Sequence, residues 1–302
     1  MKTKFIIFAL LLVFTVSKAQ QDAQYTQYMY NTININPAYA GSRNVLSVFG
    51  LHRTQWVGLD GAPVTNAFSI NAPINNSRIG VGLSFVNDRI GPTNENTVSA
   101  DVSYSVPTSE DFKLSFGVKG TANFFNLDVT KLLARNPTDL SYQNVANFSP
   151  NFGAGVYFHS NKTYFGISVP NILQTIRYAD NSVSVNKERL NLYVIAGHVF
   201  DLSSDIKLKP AFLFKAVQGA PLQADLSANF MFVNKFVLGA AYRWSAAASL
   251  MAGFQANESL YIGYGYDLET TRLRTYNAGS HEIFLRYEFF NRTNRIVSPR
   301  FF

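Results

Sequence analysis

Residues 78–87 read Arg-Ile-Gly-Val-Gly-Leu-Ser-Phe-Val-Asn, and residues 97–106 read Thr-Val-Ser-Ala-Asp-Val-Ser-Tyr-Ser-Val. In the first, Ile79, Val81, Leu83 and Phe85 alternate with Gly80, Gly82 and Ser84. In the second, Val98, Ala100, Val102, Tyr104 and Val106 alternate with Ser99, Asp101, Ser103 and Ser105. A period of two sends successive side chains to opposite faces of a strand, so each segment has one apolar face and one polar or tiny face.

The pattern recurs along the chain. Phe112, Leu114, Phe116 and Val118 oppose Lys113, Ser115, Gly117 and Lys119; Ile206, Leu208, Pro210, Phe212 and Phe214 oppose Lys207, Lys209 and Lys215; Ile283, Leu285, Tyr287 and Phe289 oppose Glu282, Arg286 and Glu288. The alternation predicts fourteen strands over 45–53, 64–71, 78–87, 97–106, 112–124, 150–158, 163–169, 189–200, 206–216, 222–233, 235–244, 247–256, 259–268 and 281–290. Most have the length a tilted strand needs to cross hydrocarbon, and an even number returns the chain to its starting side, as a closed bacterial barrel requires.

Gap lengths test this independently. Gaps 54–63, 88–96, 125–149, 170–188 and 269–280 are long and fall in one register, whereas 72–77, 107–111, 159–162, 201–205, 234 and 257–258 are short and fall in the other. Outer-membrane barrels alternate short periplasmic turns with longer outer loops in this way, so the expected N-terminus is periplasmic. A soluble β-sandwich also alternates, but fourteen long strands would then usually divide into two domains, and no Pro-, Gly- or Ser-rich linker separates them. Aromatics near strand ends, such as Phe85, Tyr104, Phe124, Phe200, Trp244 and Phe289, suit interfacial girdles.

Composition agrees. The 302 residues are 47% hydrophobic and 15% charged, with 26 Phe, 16 Tyr and no Cys, which excludes disulfide scaffolds, Cys-ligated metal and thiol chemistry. Lys2 and Lys4, the apolar run 5–16 and Ser17-Lys18-Ala19 read as an export signal over 1–19, cleaved before Gln20; the run is too short to span a bilayer. Losing Lys2, Lys4 and Lys18 lowers the formal charge from +7 to +4, and the remaining cations are scattered, so no nucleic-acid partner is expected. The expected organisation is therefore a signal peptide at 1–19, an N-terminal segment at 20–44, the barrel at 45–290 and a tail at 291–302.

The segment 20–44 carries Gln24-Tyr25-Thr26-Gln27-Tyr28-Met29-Tyr30-Asn31 and Ile35-Asn36-Pro37-Ala38-Tyr39-Ala40-Gly41-Ser42. Asn36-Pro37 favours a turn and Gly41 allows positive φ just before the first strand. So much Tyr and Met is poorly solvated if it dangles free, and burial in the barrel mouth, as a lumen plug, is the favourable alternative. The first outer gap carries Arg53-Thr54-Gln55-Trp56-Val57-Gly58-Leu59-Asp60-Gly61-Ala62-Pro63, in which Gly58, Gly61 and Pro63 mark a tight, ordered loop. Asn87-Asp88-Arg89-Ile90-Gly91-Pro92 is expected to form a similar loop after the third strand. Trp56 is expected either to anchor a partner or to pack at the upper membrane rim.

These blocks resemble the PorP/SprF family of the Bacteroidota type IX secretion system: Gln27 to Gly41, Arg53 to Thr65, Asn87 to Gly91 and the terminal Ser298-Pro299-Arg300-Phe301-Phe302 occur in the family's order across essentially the whole mature chain. The resemblance implies an outer-membrane barrel serving secretion or surface attachment of a large cargo protein through the cargo's C-terminal sorting domain, with links to gliding motility. Its implied partners are other secretion components and peptidoglycan-binding periplasmic proteins. The candidate partner-binding or plug residues are Gln27, Tyr28, Asn36, Pro37, Tyr39, Gly41, Arg53, Gln55, Trp56, Gly58, Pro63, Asn87, Asp88 and Gly91. The alternative is a solute channel in which residues 24–42 move as a plug.

Catalytic chemistry finds little support. His52, His159, His198 and His281 show no metal-ligand spacing, with His159 expected in a short turn and His198 on an apolar face. Gly80-x-Gly82, Gly153-x-Gly155 and Gly263-x-Gly265 lie on small-residue faces of strands, where they make room for a neighbouring backbone or plug rather than cradle phosphate. No cofactor, metal or catalytic residue is assigned. Lys113, Lys119, Lys207, Lys209 and Lys215 share the inward face with Asp101, Asp225, Asp267, Glu282 and Glu288, and this mixture of signs predicts paired lumen charges over an ion-selective pore.

Overall fold

In a computed structural model, residues 28–75, 77–131, 144–173, 190–217 and 220–290 are described. The expected signal peptide at 1–19, Gln27 and the expected tail at 291–302 lie outside them. Strands run β1 Leu46–Thr54, β2 Val64–Pro73, β3 Ile79–Ile90, β4 Thr93–Pro107, β5 Lys113–Leu127, β6 Val145–His159, β7 Thr163–Val169, β8 Asn191–His198, β9 Phe200–Asp201, β10 Ile206–Val217, β11 Gln223–Phe232, β12 Phe236–Arg243, β13 Ala247–Gln255, β14 Leu260–Glu269 and β15 Ser280–Phe289. Sequence neighbours pair antiparallel, except that β8 and β9 both pair with β10, and β15 pairs with β1, so the sheet closes on itself without a free edge.

The two-residue β9 continues β8. Both keep one register against β10, from Gly197↔Ala211 through Phe200↔Leu208. The break at Val199 lies beside Pro210, which has no N–H to give to the ladder. Pro210 lies opposite His198 in this register, and Val199 donates away from β10, to the Lys162 carbonyl at 2.8 Å. β8 and β9 therefore form one stave, and the barrel has the fourteen staves that the alternation predicts.

The two faces differ as a membrane barrel's must. Outward positions hold exposed apolar side chains, among them Leu83, Val98, Val118, Phe152, Leu226 and Leu250, while inward positions on the same strands hold buried Ser84, Ser99, Lys119, Asn151, Asp225 and Ser249. The strand ends at Thr54, Leu127, Val169 and Glu269 share one mouth, and those at Pro73, Pro107, His159, Asp201, Phe232 and Gln255 share the other.

The loop expected over 88–96 is absent. β3 runs on to Ile90 and β4 starts at Thr93, leaving only Gly91-Pro92 as the turn, with Gly91 at φ +54°. Asn87, Asp88, Arg89, Asn94, Glu95 and Asn96 are paired ladder residues. Above the hydrocarbon an outward side chain need not be apolar, so the polar run ends the hydrophobic alternation without ending the strand. β5 and β6 likewise extend to Leu127 and from Val145, beyond the expected 124 and 150.

Candidate functional site

Residues 28–44 lie inside the barrel. Three single turns of 3-10 helix, Tyr28–Tyr30, Thr32–Asn34 and Pro37–Tyr39, leave many backbone groups without local partners, and inward side chains of the wall supply them. Lys119 Nζ donates to the carbonyls of Ile33 at 3.0 Å and Asn34 at 3.1 Å. Ser168 Oγ donates to the Ile35 carbonyl at 2.6 Å and Ser103 Oγ to the Ala40 carbonyl at 2.7 Å.

Asn36 both shapes the turn and fixes it to the wall. Its Oδ1 accepts from the Ala38 N–H at 3.0 Å, starting the turn whose first residue is Pro37, and its Nδ2 donates to the Val156 carbonyl at 3.0 Å. Glycines clear the space. A Cβ on Gly117 would run into the Ala38 backbone, and one on Gly155 into the Asn36 amide. Gly41, at φ +68°, turns the chain toward β1 and donates to Asn71 Oδ1 at 3.3 Å.

The opposite wall holds the segment through rings and cations. Tyr30 stacks on Tyr261 with centroids 5.3 Å apart and packs on Phe284 at 4.7 Å, while Lys209 Nζ lies 4.8 Å from its ring centroid. The Tyr30 and Tyr261 hydroxyls are 3.2 Å apart. Burial pushes the Tyr30 phenol up, and burial with the nearby Asp225 carboxylate does the same to Tyr28, so both stay neutral. Tyr39 meets Tyr157 edge-on at 5.6 Å, and Arg43 pairs with Glu288 near the mouth where the chain enters β1.

Several inward charges are paired, whereas Lys209 and Lys215 lie over the rings of Tyr30 and Tyr193. Arg53 on β1 binds Asp267 on β14 at 2.8 Å and Glu282 on β15 at 3.1 Å; Lys119 lies 3.4 Å from Asp101, and Arg243 lies 3.0 Å from Asp225. Arg53 thus ties together three neighbouring strands around the closing seam.

Trp56 belongs to a second structure, at the rim. It sits at φ +50°, its indole N–H donates to Glu269 Oε1 at 2.9 Å, and its backbone N–H donates to Ser280 Oγ at 3.2 Å. Val57 exchanges backbone bonds with Gly279 and Ala278, Gln55 N–H donates to the Pro63 carbonyl, and Gly91 N–H donates to the Gly61 carbonyl. Gly58, like Gly61, has positive φ, and Pro63 is buried. The loop at 55–63 is thereby strapped to the β14–β15 loop on one side and to the β3–β4 turn on the other.

The sequence candidates therefore separate into two groups. Tyr28, Asn36, Pro37, Tyr39 and Gly41 lie in the lumen segment; Gln55, Trp56, Gly58, Pro63 and Gly91 lie at the rim. Arg53 faces inward below the rim, Asn87 faces outward, and Asp88 accepts from Thr65 Oγ1 at 2.7 Å on the inward side. Sequence reading did not single out Lys119, Ser103 and Ser168 as contacts of the segment. Their inward placement was legible, but their partners are distant in the chain. His159 is the last residue of β6 and is buried, not in a turn; Ser115 Oγ lies 3.4 Å from its Nε2. Among the described residues no three His, Asp or Glu side chains converge in a way that could hold a metal ion.

A closed antiparallel cylinder with an apolar exterior, a charged and hydroxylated interior, and no helix among the described residues long and apolar enough to cross a membrane defines an outer-membrane β-barrel protein. Solved structures similar to this chain include the CymD monoaromatic hydrocarbon channel, at 12% identity, TM-score 0.48, covering 91% of this chain and 95% of that one. The TodX deltaS2S3 mutant monoaromatic hydrocarbon channel gives 11%, 0.49, 84% and 92%, and a Pseudomonas aeruginosa FadL homologue gives 14%, 0.44, 82% and 89%. No curated protein matches the chain. The family of type IX secretion system membrane proteins PorP/SprF matches residues 17–287, and the chain belongs to that family.

Proposed function

We propose that this barrel supports secretion and surface attachment of a large cargo protein through the cargo's C-terminal sorting domain, acting as an anchor rather than a solute path. The observation that carries this reading is the segment 28–44, bonded to opposite walls of the lumen by Lys119, Ser103, Ser168 and Asn36 on one side and by Tyr261, Phe284 and Lys209 on the other. A lumen crossed in this way is a poor conduit, and the segment serves as its plug.

In this reading the N-terminus and the short turns face the periplasm, where other secretion components and peptidoglycan-binding proteins dock. The strapped rim around Trp56 faces outward and meets cargo. Loss of the gene leaves cargo inside the cell or loose in the medium; unchanged surface display of every large adhesin overturns the reading. In planar bilayers the intact protein is nearly silent, and a variant lacking residues 28–41 conducts. Steady conductance by the intact protein would favour the channel with a movable plug.

A further inference from the structure

Near the loop mouth, across β1–β4, the outer wall breaks its own apolar rule. His52, Asn66, Asn87 and Asn96 are outward residues lying directly opposite one another across β1, β2, β3 and β4. Their side chains form a directional chain. Thr54 Oγ1 lies 3.2 Å from His52 Nε2, and His52 Nδ1 donates to Asn66 Oδ1 at 2.8 Å, since an amide oxygen can only accept. Asn66 Nδ2 then donates to Asn87 Oδ1 at 3.5 Å, and Asn87 Nδ2 donates to Asn94 at 2.7 Å and Asn96 at 2.9 Å. The chain ends on the amide groups of Asn94 and Asn96, whose N–H donors have no partner beyond this row among the described residues.

The belt continues in the other direction. Thr54 is opposite His281 on β15, which bonds the Tyr264 hydroxyl at 2.6 Å and lies 5.2 Å from the Tyr266 ring; Tyr266 in turn donates to the Ala278 carbonyl at 3.0 Å. That last bond ties the β14–β15 loop to the outward face. The loop carries exposed Arg272 and Arg274, and Arg89 is exposed and outward two residues beyond Asn87; none of the three forms an ion pair among the described residues. Two residues toward the turn mouth from the Asn row, Phe68, Phe85 and Val98 are exposed and apolar.

We propose that this belt, across β14, β15 and β1–β4, binds the phosphorylated sugar headgroup of an outer-leaflet glycolipid. The arginines take the phosphates, the amides and Tyr264 take ring oxygens and hydroxyls, and the acyl chains lie on Phe68, Phe85 and Val98. An occupant of this strip must be polar above and apolar below, which selects an amphiphile over a soluble anion. The assignment rests on the loop mouth facing outward, as in the preceding proposal, but not on any role in secretion.

The test uses the full protein in mild detergent, titrated with a bisphosphorylated glucosamine-disaccharide lipid and read by native mass spectrometry. Arg272→Gln with Arg274→Gln should weaken binding about tenfold, the equivalent of one lost charge-assisted contact, and Asn94→Leu with Asn96→Leu should separately weaken it about fivefold through the lost amide donors. Binding of phosphatidylglycerol should stay unchanged. The loop variant leaves the barrel wall intact, so equal binding by it and the unaltered protein overturns the proposal, as does equal competition by inorganic phosphate. Orientation is read separately: the chain has no Cys, so Tyr276→Cys is a unique thiol. It should react with an impermeant maleimide on intact cells; reaction only after permeabilisation would place the belt in the inner leaflet and overturn the assignment, while cargo display is scored on its own.

Discussion

Gly117 of β5 and Ala38 of the third 3-10 turn pack backbone against backbone, with no room for a Cβ between them. The lumen segment therefore sits on the wall itself rather than on a cushion of side chains. One strand away, Gly155 instead makes room for the side-chain amide of Asn36.

Gly117→Val should lift the segment from β5 and break the Lys119 and Ser103 bonds beside it. Overpacking of this kind costs about 1–3 kcal/mol. A lower temperature for the heat-induced gel shift, together with new conductance in planar bilayers, is the expected outcome. A silent variant of unchanged stability would show that the segment is not seated as described.

Arg53→Met should be among the most damaging single changes in the wall, because it leaves Asp267 and Glu282 buried without their cation. Removing one partner of such a group costs about 3–5 kcal/mol. Adding Asp267→Asn and Glu282→Gln to the same chain should recover most of that loss in urea unfolding from lipid vesicles.

Tyr30 allows two contributions to be separated. Tyr30→Phe keeps the stacking on Tyr261 and Phe284 and loses only the hydroxyl contact, costing about 1 kcal/mol. Tyr30→Ala loses the packing as well and should cost about 3–5 kcal/mol, as for other large buried rings. Similar midpoints for the two variants in thermal unfolding would rule out ring packing as the main hold on this side.

Trp56→Phe removes the indole N–H bond to Glu269 and leaves the backbone free to keep its own bonds. A hydrogen bond to a charged acceptor contributes about 1.5–3 kcal/mol, so the Val57 and Ala278 amides should exchange about tenfold faster or more in deuterium-exchange mass spectrometry. Amides in the middle of β5 and β6 should not change.

The barrel was legible because bilayer and lumen impose opposite demands on alternate residues, and segments such as 78–87 and 97–106 record both. The reading failed where one demand lapses. Asn87 to Asn96 lies beyond the hydrocarbon, so strand and loop are equally polar there, and only the ladder between β3 and β4 distinguishes them. Val199 beside Pro210 was invisible for a different reason: a missing N–H on one strand acts on its neighbour across the sheet. Within the lumen, Asn36-Pro37 and Gly41 signalled a turn locally, whereas Lys119, 85 or 86 residues from the carbonyls it binds, carried no local signal of that role.

The seam between β1 and β15 joins the beginning of the wall to its end, and residues 28–44 immediately precede β1. The cylinder cannot shut until its last strand arrives, whereas the lead-in is tethered to its first, so the sheet can curl around a mandrel made from its own leading end. Lesions in that mandrel should surface first as misassembled material at the insertion machinery, before any defect appears in what the finished barrel does.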